Sequence, residues 1–130
     1  MSDLLNALAN ATSGMKAQGQ RLRHVSENIA NADTPGFRRK SISFEAVYDG
    51  GNRTAGVETG RVHLDQADLA KHYDPSHPMA DSAGYYDGSN VNLVVEIADS
   101  REAQRSFEAN LKIFDQARKM ASSLLDLLRR

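Results

Sequence analysis

The side chains of this chain that could carry out chemistry include four histidines: His24, His63, His72 and His77. Two of these flank Asp74, and two imidazoles with a carboxylate are a ligand set that zinc accepts. Pro75 and Pro78 interrupt this stretch, however, so it lacks the helical pair of histidines four residues apart that zinc enzymes use. We interpret residues 73–78 as an extended connector and predict no metal there and no cofactor elsewhere.

The candidate acid and base side chains are isolated from one another. Glu27 lies beside Asn28 near the end of the first apolar pattern, whereas Glu96 and Glu102 lie in the last one. None of them is placed beside a base or a nucleophile, and the chain has no phosphate-binding glycine loop, nucleophile elbow or zinc-protease motif. The sequence therefore predicts a protein that is not an enzyme and has no small-molecule substrate.

Charge and composition exclude further classes of function. The formal net charge is −1, without the basic surplus of a nucleic-acid-binding protein, and we interpret residues 38–40 (Arg-Arg-Lys) as the solvated entry to a strand. The chain has no cysteine, so it forms neither disulfides nor thiolate metal sites. No apolar run approaches the ~20 residues of a membrane span. We expect no membrane span and no cleaved signal, and a cytoplasmic chain unless a dedicated export machine reads its N-terminus.

Two long terminal helices must position these side chains. Residues 89–130 contain no glycine or proline, so they predict one helix, capped by Ser89 or Asn90. Its apolar side chains cover an arc of roughly 200°, twice the ~100° stripe of a helix that rests on one core. Asn110 lies inside this arc, where it either fixes the register against a neighbour or reaches the edge and bonds water. The arc consists of Phe107, Leu111, Ile113, Phe114, Ala117, Met120, Ala121, Leu124, Leu125, Leu127 and Leu128.

The first helix is predicted over residues 3–31, capped by Ser2 or Asp3 and ended by the turn Thr34-Pro35-Gly36. Two glycines, Gly14 and Gly19, lie inside it, and each costs about 0.5–1 kcal/mol relative to alanine. The apolar stripe follows the four-three spacing of a coiled-coil seam. Its members are Leu4, Leu8, Ala11, Met15, Gln18, Leu22, Val25 and Ile29.

Residues 38–88, in the middle of the chain, are predicted to form short strands. Residues 41–48 alternate in polarity as a half-buried strand does, and apolar residues between 57 and 64 suggest two more short strands around Gly60. Residues 84–88 are predicted to form a turn. The predicted fold is mainly α with a small β-rich insert, in three segments: 1–37, 38–88 and 89–130. The terminal helices are expected to pack as a coiled coil, to be loose in the monomer, and to become ordered when neighbouring helices cover them.

Two stretches resemble signatures of the bacterial flagellar rod and hook proteins. The first contains Asn28, Ala30, Asn31, Thr34, Pro35, Gly36 and Phe37, and the second contains Arg105, Phe107, Glu108, Ala109 and Asn110. Residues 74–78 and 90–92, with the short length, are similar to a rod member of this family. Phe107 stands where the family often has tyrosine and Ile97 where methionine is common, and both keep an apolar group in place.

This resemblance implies a structural subunit of the proximal rod of the flagellar basal body, which transmits torque from the motor to the hook and filament. It implies terminal helices stacked as the coiled-coil inner layer of a helical tube, with the middle segment outside. The implied partners are other copies of the chain, neighbouring rod proteins and the flagellar type III export apparatus. Export by that route would bring the chain to the periplasmic rod without a cleaved signal peptide.

Two other functions fit the residues less well. A helical adaptor or export chaperone would form a closed coiled-coil complex with protected termini. A small enzyme that used the histidine-bearing middle would need a concave polar pocket there.

Overall fold

The computed structural model describes residues 2–130. Its elements are α1 (Ser2–Ala30), β1 (Lys40–Asp49), β2 (Asn52–Leu64), β3 (Lys71–Tyr73), β4 (Tyr85–Asp87) and α2 (Leu93–Leu128). The strands form two antiparallel two-stranded sheets, β1–β2 and β3–β4. The prediction of two terminal helices around a small β-rich insert is therefore confirmed. No helix within the described residues is long and apolar enough to cross a membrane.

The two helices run antiparallel along each other. Asn28 near the end of α1 contacts Glu96 near the start of α2, and Gly14 halfway along α1 faces Asn110. The buried apolar side chains among residues 2–130 are small: Ala11, Ala17, Val25, Ala103 and Ala117. Since the side chains at a helix contact set how closely the two axes approach, this thin core brings the backbones close together.

The stripe of α1 that faces α2 includes residues outside the predicted apolar seam, although the seam members Ala11 and Val25 are buried. Contacts to α2 come from Gly14, Arg21 and Asn28, which recur every seven residues. Leu8, Met15, Leu22 and Ile29 each follow this stripe by one residue, which rotates them by about 100° around the helix. Ile29 is exposed and the other three are half-buried. Most of the large apolar residues of α1 thus lie beside the contact with α2.

The strands β1 and β2 form a long hairpin that lies on α1. Its turn is Gly50-Gly51, with positive φ angles of 57° and 85° that residues with a Cβ rarely adopt. The prediction of two short strands around Gly60 is wrong, because β2 is one strand of 13 residues. Two shifts of register in the ladder accommodate the extra residues of β2. The Val57 amide donates to Ser13 Oγ at 3.2 Å and ties the hairpin to α1.

The segment between β2 and α2 also differs from its prediction. Residues 73–78 are not an extended connector: turns follow β3 at 75–76 and again at 78–79. The carboxylate of Asp74 stabilises the first turn, because it accepts from the Ser76 amide at 3.1 Å and from Ser76 Oγ at 2.7 Å. Residues 84–88 are not simply a turn either, since Tyr85–Asp87 is the strand β4 and pairs with β3.

The predicted helix caps are wrong by a few residues. Asn92 caps α2, and its side chain accepts from the amides of Val94 and Val95. Ser89 and Asn90 are engaged elsewhere: Ser89 Oγ donates to the Ala32 carbonyl, and Asn90 Oδ1 accepts from the Arg39 amide at 2.7 Å. At the other end of the chain, Ser2 and Asp3 lie within α1, so neither precedes it as a cap.

Candidate functional site

Three segments of the chain meet where α1 ends and α2 begins, in a cluster that we call the polar junction: Asn28, Arg39, Lys40, Glu96 and Asp99. Asn28 and Glu96 are both 0% exposed. Asn28 Nδ2 donates to Glu96 Oε2 at 3.3 Å and to the Lys40 carbonyl at 2.8 Å, while Asn28 Oδ1 accepts from the Lys40 amide at 2.8 Å. One amide side chain therefore joins α1, β1 and α2.

The buried carboxylate of Glu96 is compensated by Arg39. Arg39 Nε donates to Glu96 Oε1, and Arg39 Nη2 donates to Asp99 at 2.7 Å. Asp99 and Glu102 also contact Arg21 Nη2, at 3.5 Å and 3.4 Å, so the ion pairs continue along the α1–α2 contact. An unpaired buried charge costs several kcal/mol, so Arg39 is held in place by the carboxylate that it neutralises. The interpretation of residues 38–40 as a solvated strand entry is thus wrong for Arg39.

A second ion pair lies at the edge of the junction. Lys40 Nζ is 3.1 Å from Glu27 Oε2, and this hydrogen bond holds the pKa of Glu27 below its usual value. A cavity of about 350 Å³ opens nearby, lined by Arg21, His24 and Asp99 among others. His24 Nδ1 is buried without a hydrogen-bond partner in it. The charged groups of the junction form ion pairs with one another, so we interpret the junction as a structural contact between the two helices and β1.

Two histidines of the middle segment pack against one tyrosine. His72 and His77 both pack on Tyr86, with ring centroids 5.4 Å and 3.9 Å away, and the second contact is stacked. Within residues 2–130, no group of three or more histidine, aspartate or glutamate side chains is arranged to hold a metal ion.

The residues of the first family signature build the loop that follows α1. Gly36 has a positive φ of 75°, and its amide donates to the carbonyls of Asp87 and Gly88 at 3.2 Å and 3.1 Å. The Phe37 carbonyl accepts from the Asn90 amide at 3.3 Å. Asn31 Nδ2 donates back to the Glu27 carbonyl at 2.8 Å. This loop thus connects the end of α1 to the residues that lead into α2. Of the other members, Pro35 is half-buried, and Ala30 and Thr34 are exposed.

The second signature lies at the middle of α2. Asn110 is half-buried against Gly14, and a Cβ added to Gly14 would lie 2.7 Å from Asn110 Nδ2. Asn110 Nδ2 also donates to the Ser106 carbonyl at 3.0 Å, so the side chain is fixed on its own helix. Phe107 is half-buried, whereas the three other members are exposed: Arg105, Glu108 and Ala109.

Only part of the apolar arc of α2 is covered. Ala117 is buried, and Phe107, Phe114 and Ala121 are half-buried. The large side chains on both flanks of this strip are 42–79% exposed: Leu111, Ile113, Met120, Leu124, Leu125, Leu127 and Leu128. On α1, Ala11 and Val25 are buried, Leu4, Leu8, Met15 and Leu22 are half-buried, and Ile29 is exposed. The helix pair therefore presents a large apolar surface to its surroundings.

A seven-residue spacing in α2 indicates the helix contact, although the pattern of large apolar residues does not. Glu96, Ala103, Asn110 and Ala117 recur every seven residues in α2, and all four are buried or half-buried. Residues seven apart lie on the same face of a helix, so these polar and small residues form the face of α2 that contacts α1.

Comparison with known proteins bears on what this arrangement is for. The family model described as flagella basal body rod protein matches residues 8–38, and that of the flagellar basal body rod FlgEFG protein C-terminal region matches residues 82–127. The flagellar basal-body rod protein FlgC of Agrobacterium fabrum is 42% identical over 99% of this chain and 98% of its own length. The chain belongs to the flagellar basal-body rod protein family.

Other rod proteins are similar over comparable lengths. FlgC of Salmonella typhimurium is 33% identical over 95% of this chain and 97% of the relative. FlgC of Borreliella burgdorferi is 30% identical over 96% of this chain and 97% of the relative. The chain is therefore a structural subunit of the flagellar basal-body rod, and its family implies assembly with other rod components. The two matched regions contain both signatures and both partners of the Asn28–Glu96 contact.

Proposed function

We propose that this rod subunit packs its two terminal helices against those of neighbouring subunits, and that these helices form the coiled-coil inner layer of the proximal rod. The observation that carries the proposal is the uncovered arc of α2, from Leu111 at 42% exposure to Leu128 at 79%. Contiguous apolar surface of this kind on a soluble protein marks an interaction site. In this arrangement residues 1–37 and 89–130 lie inside, and residues 38–88 lie outside.

Such an inner layer would transmit torque from the motor to the hook and filament. Twisting a tube of helices that pack against several neighbours requires many contacts to break together, so the tube is stiff. The polar junction contributes by fixing the insert to the helix pair, because Asn28 and Arg39 hold α1, β1 and α2 in one orientation. The subunit thereby acts as one rigid body between its neighbours.

The proposed partners are other copies of this chain, the neighbouring rod proteins and the flagellar type III export apparatus. Export as an unfolded chain to the periplasmic rod is supported by the absence of cysteine, since no disulfide can form on the way. A thin core of small side chains also supports it, because such a core unfolds more readily than one of large apolar residues.

The proposal is tested with Leu125→Asp in the full chain. Leu125 is 52% exposed, so the subunit should stay soluble with an unchanged helical circular-dichroism spectrum. We expect a strain with this variant as its only copy to be non-motile and to lack complete rods. Leu125→Met keeps an apolar side chain at the same position and should preserve motility. A motile Leu125→Asp strain would show that the exposed arc of α2 is not an assembly surface.

A further inference from the structure

We infer that the exposed end of α2 binds the surface of a membrane with anionic headgroups when no neighbouring subunit covers it. The segment is residues 112–130, which we call the amphipathic end. It would lie along the membrane surface with its apolar side chains among the acyl chains and its basic side chains among the headgroups. This inference goes beyond the proposed function, because it concerns the free subunit and not its packing in the rod.

The amphipathic end extends past α1. The two helices are antiparallel, and Asn28 contacts Glu96 while Gly14 faces Asn110. The same register places Ser2, where α1 begins, opposite about residue 122 of α2. The last turns of α2 therefore have no residue of α1 opposite them in the described part of the chain. Their leucines are 42–79% exposed: Leu124, Leu125, Leu127 and Leu128.

Apolar and charged side chains separate around the axis of the amphipathic end. At 100° per residue, its apolar residues from Ile113 to Leu128 occupy an arc of roughly 160°. All seven charged residues lie in the rest of the circle: Lys112, Asp115, Arg118, Lys119, Asp126, Arg129 and Arg130. The two carboxylates lie opposite the centre of the arc, whereas the basic residues lie nearer to its two edges. A flat anionic surface suits this pattern, because basic side chains on both edges reach the headgroups while the arc faces the acyl chains.

The distribution of charge favours an anionic surface as the occupant. The amphipathic end has five basic residues and two carboxylates, a net charge of +3, whereas the whole chain has −1. The rest of the chain therefore has eleven basic and fifteen acidic residues, a net charge of −4. An anionic surface attracts this end and repels the rest, which orients the subunit on the membrane. Asp115 and Arg118 are 3.7 Å apart but exposed, so their pairing weakens the attraction little.

The start of α2 offers an internal comparison. It also has exposed apolar side chains, at 45–76%: Leu93, Val94, Val95 and Ile97. The charges around them have the opposite sign, since residues 93–102 contain three carboxylates and one arginine. Exposed apolar surface is therefore common to both ends of α2, and basic charge beside it is specific to the amphipathic end. We expect only that end to bind anionic vesicles.

The absence of tryptophan from the chain allows a direct test in the full subunit. Leu128→Trp and Val94→Trp each place one tryptophan at a position that is 79% or 76% exposed. Vesicles of phosphatidylglycerol and phosphatidylcholine in equal amounts should move the emission of Leu128→Trp to shorter wavelength, because the indole enters the membrane interface. Vesicles of phosphatidylcholine alone should have little effect. Val94→Trp should not respond to either.

Three results would overturn the inference. No shift with the anionic vesicles would show that the amphipathic end does not bind them. An equal shift with phosphatidylcholine alone would show that charge plays no part. A shift that needs no vesicles and grows with protein concentration would show that a second copy covers the end instead.

Charge reversal tests the role of the basic residues by co-sedimentation with the anionic vesicles. Each basic side chain at such a surface contributes about fivefold to the partition coefficient, so Arg129→Glu/Arg130→Glu should lower it by at least about 25-fold. Arg61→Glu/Arg101→Glu makes the same change of net charge at exposed positions outside the amphipathic end and should change it by less than about twofold. Equal losses in the two variants would overturn the inference. Failure to bind vesicles leaves the proposed function standing, whereas a motile Leu125→Asp strain contradicts the proposed function itself.

Discussion

The two glycines inside α1 make opposite predictions when each is changed to alanine. A Cβ added at Gly19 meets nothing within 4 Å, whereas one added at Gly14 would lie 2.7 Å from Asn110 Nδ2 and 2.9 Å from Asn110 Cγ. Gly19→Ala should therefore stabilise the protein by about 0.5–1 kcal/mol, because alanine restricts the unfolded chain and favours the helix. Gly14→Ala has the same gain, but overpacking of the helix contact costs about 1–3 kcal/mol.

The two variants should consequently differ by about 1–3 kcal/mol in the free energy of unfolding. For a chain of this size that corresponds to roughly 4 °C in melting temperature for each kcal/mol. Thermal unfolding of the purified subunit, followed by far-UV circular dichroism, measures this difference. We expect Gly19→Ala to melt above the wild type and Gly14→Ala below Gly19→Ala by several degrees.

A second substitution identifies the cause. Asn110→Ala removes the atoms that the new methyl group would contact, so Gly14→Ala should become neutral or stabilising in that background. This change of sign cannot come from helix propensity alone. Equal melting temperatures for Gly14→Ala and Gly19→Ala would refute the reasoning, since they would show that α2 does not approach Gly14 closely in the isolated subunit.

Further predictions concern the polar junction and the turns between β3 and β4. Arg39→Met should destabilise the subunit by about 3–5 kcal/mol in urea unfolding, because it leaves Glu96 buried and unpaired. Arg101→Met, at an exposed position of α2, should cost less than about 1 kcal/mol; equal effects would contradict the pairing. Hydrogen bonds from the Tyr85 amide to Asp81, and from Ser76 Oγ to Asp74, lower the pKa values of both carboxyls below the ordinary 3.8. Their contribution is complete above that pH and is lost as the pH falls through the lowered values. Protection of the Ala83 and Tyr85 amides, which donate to Asp81, should therefore decrease only below about pH 4 and should be lost at every pH in Asp81→Ala, which removes the acceptor.

The sequence was sufficient to predict where the helices lie but not all the residues of α1 that contact α2. The apolar periodicity selects a seam whose members Ala11 and Val25 are buried, whereas its larger members Leu8, Met15 and Leu22 are only half-buried. The contact also uses Gly14 and Arg21, because a close approach requires a small side chain at one layer and an ion pair at another. Size and charge complementarity depend on both helices at once, so periodicity within one helix cannot reveal them.

The middle of the chain was less predictable for a related reason. Turn residues indicated where the chain bends, but the role of each polar side chain depended on its distant partners. Asn90 is a good helix cap by type, yet its side chain contacts the Arg39 amide, and Asn92 caps α2 instead. Glu96 lies among apolar residues in the sequence, and nothing local distinguishes it from an exposed glutamate. Only its spacing of seven from Ala103 and fourteen from Asn110 placed it on the contact face.

The distribution of polar and apolar side chains around the start of α2 is the reverse of what an isolated protein needs. Glu96 is 0% exposed, while Val94 and Val95, the two residues before it, are 76% and 45% exposed. A buried ion pair adds little stability compared with apolar packing, but it tolerates few alternative geometries. The internal contacts therefore determine how α1, α2 and the insert are oriented, and the outer apolar side chains remain available for binding. In the proposed rod packing, the neighbours that cover these side chains would add to the stability of the subunit.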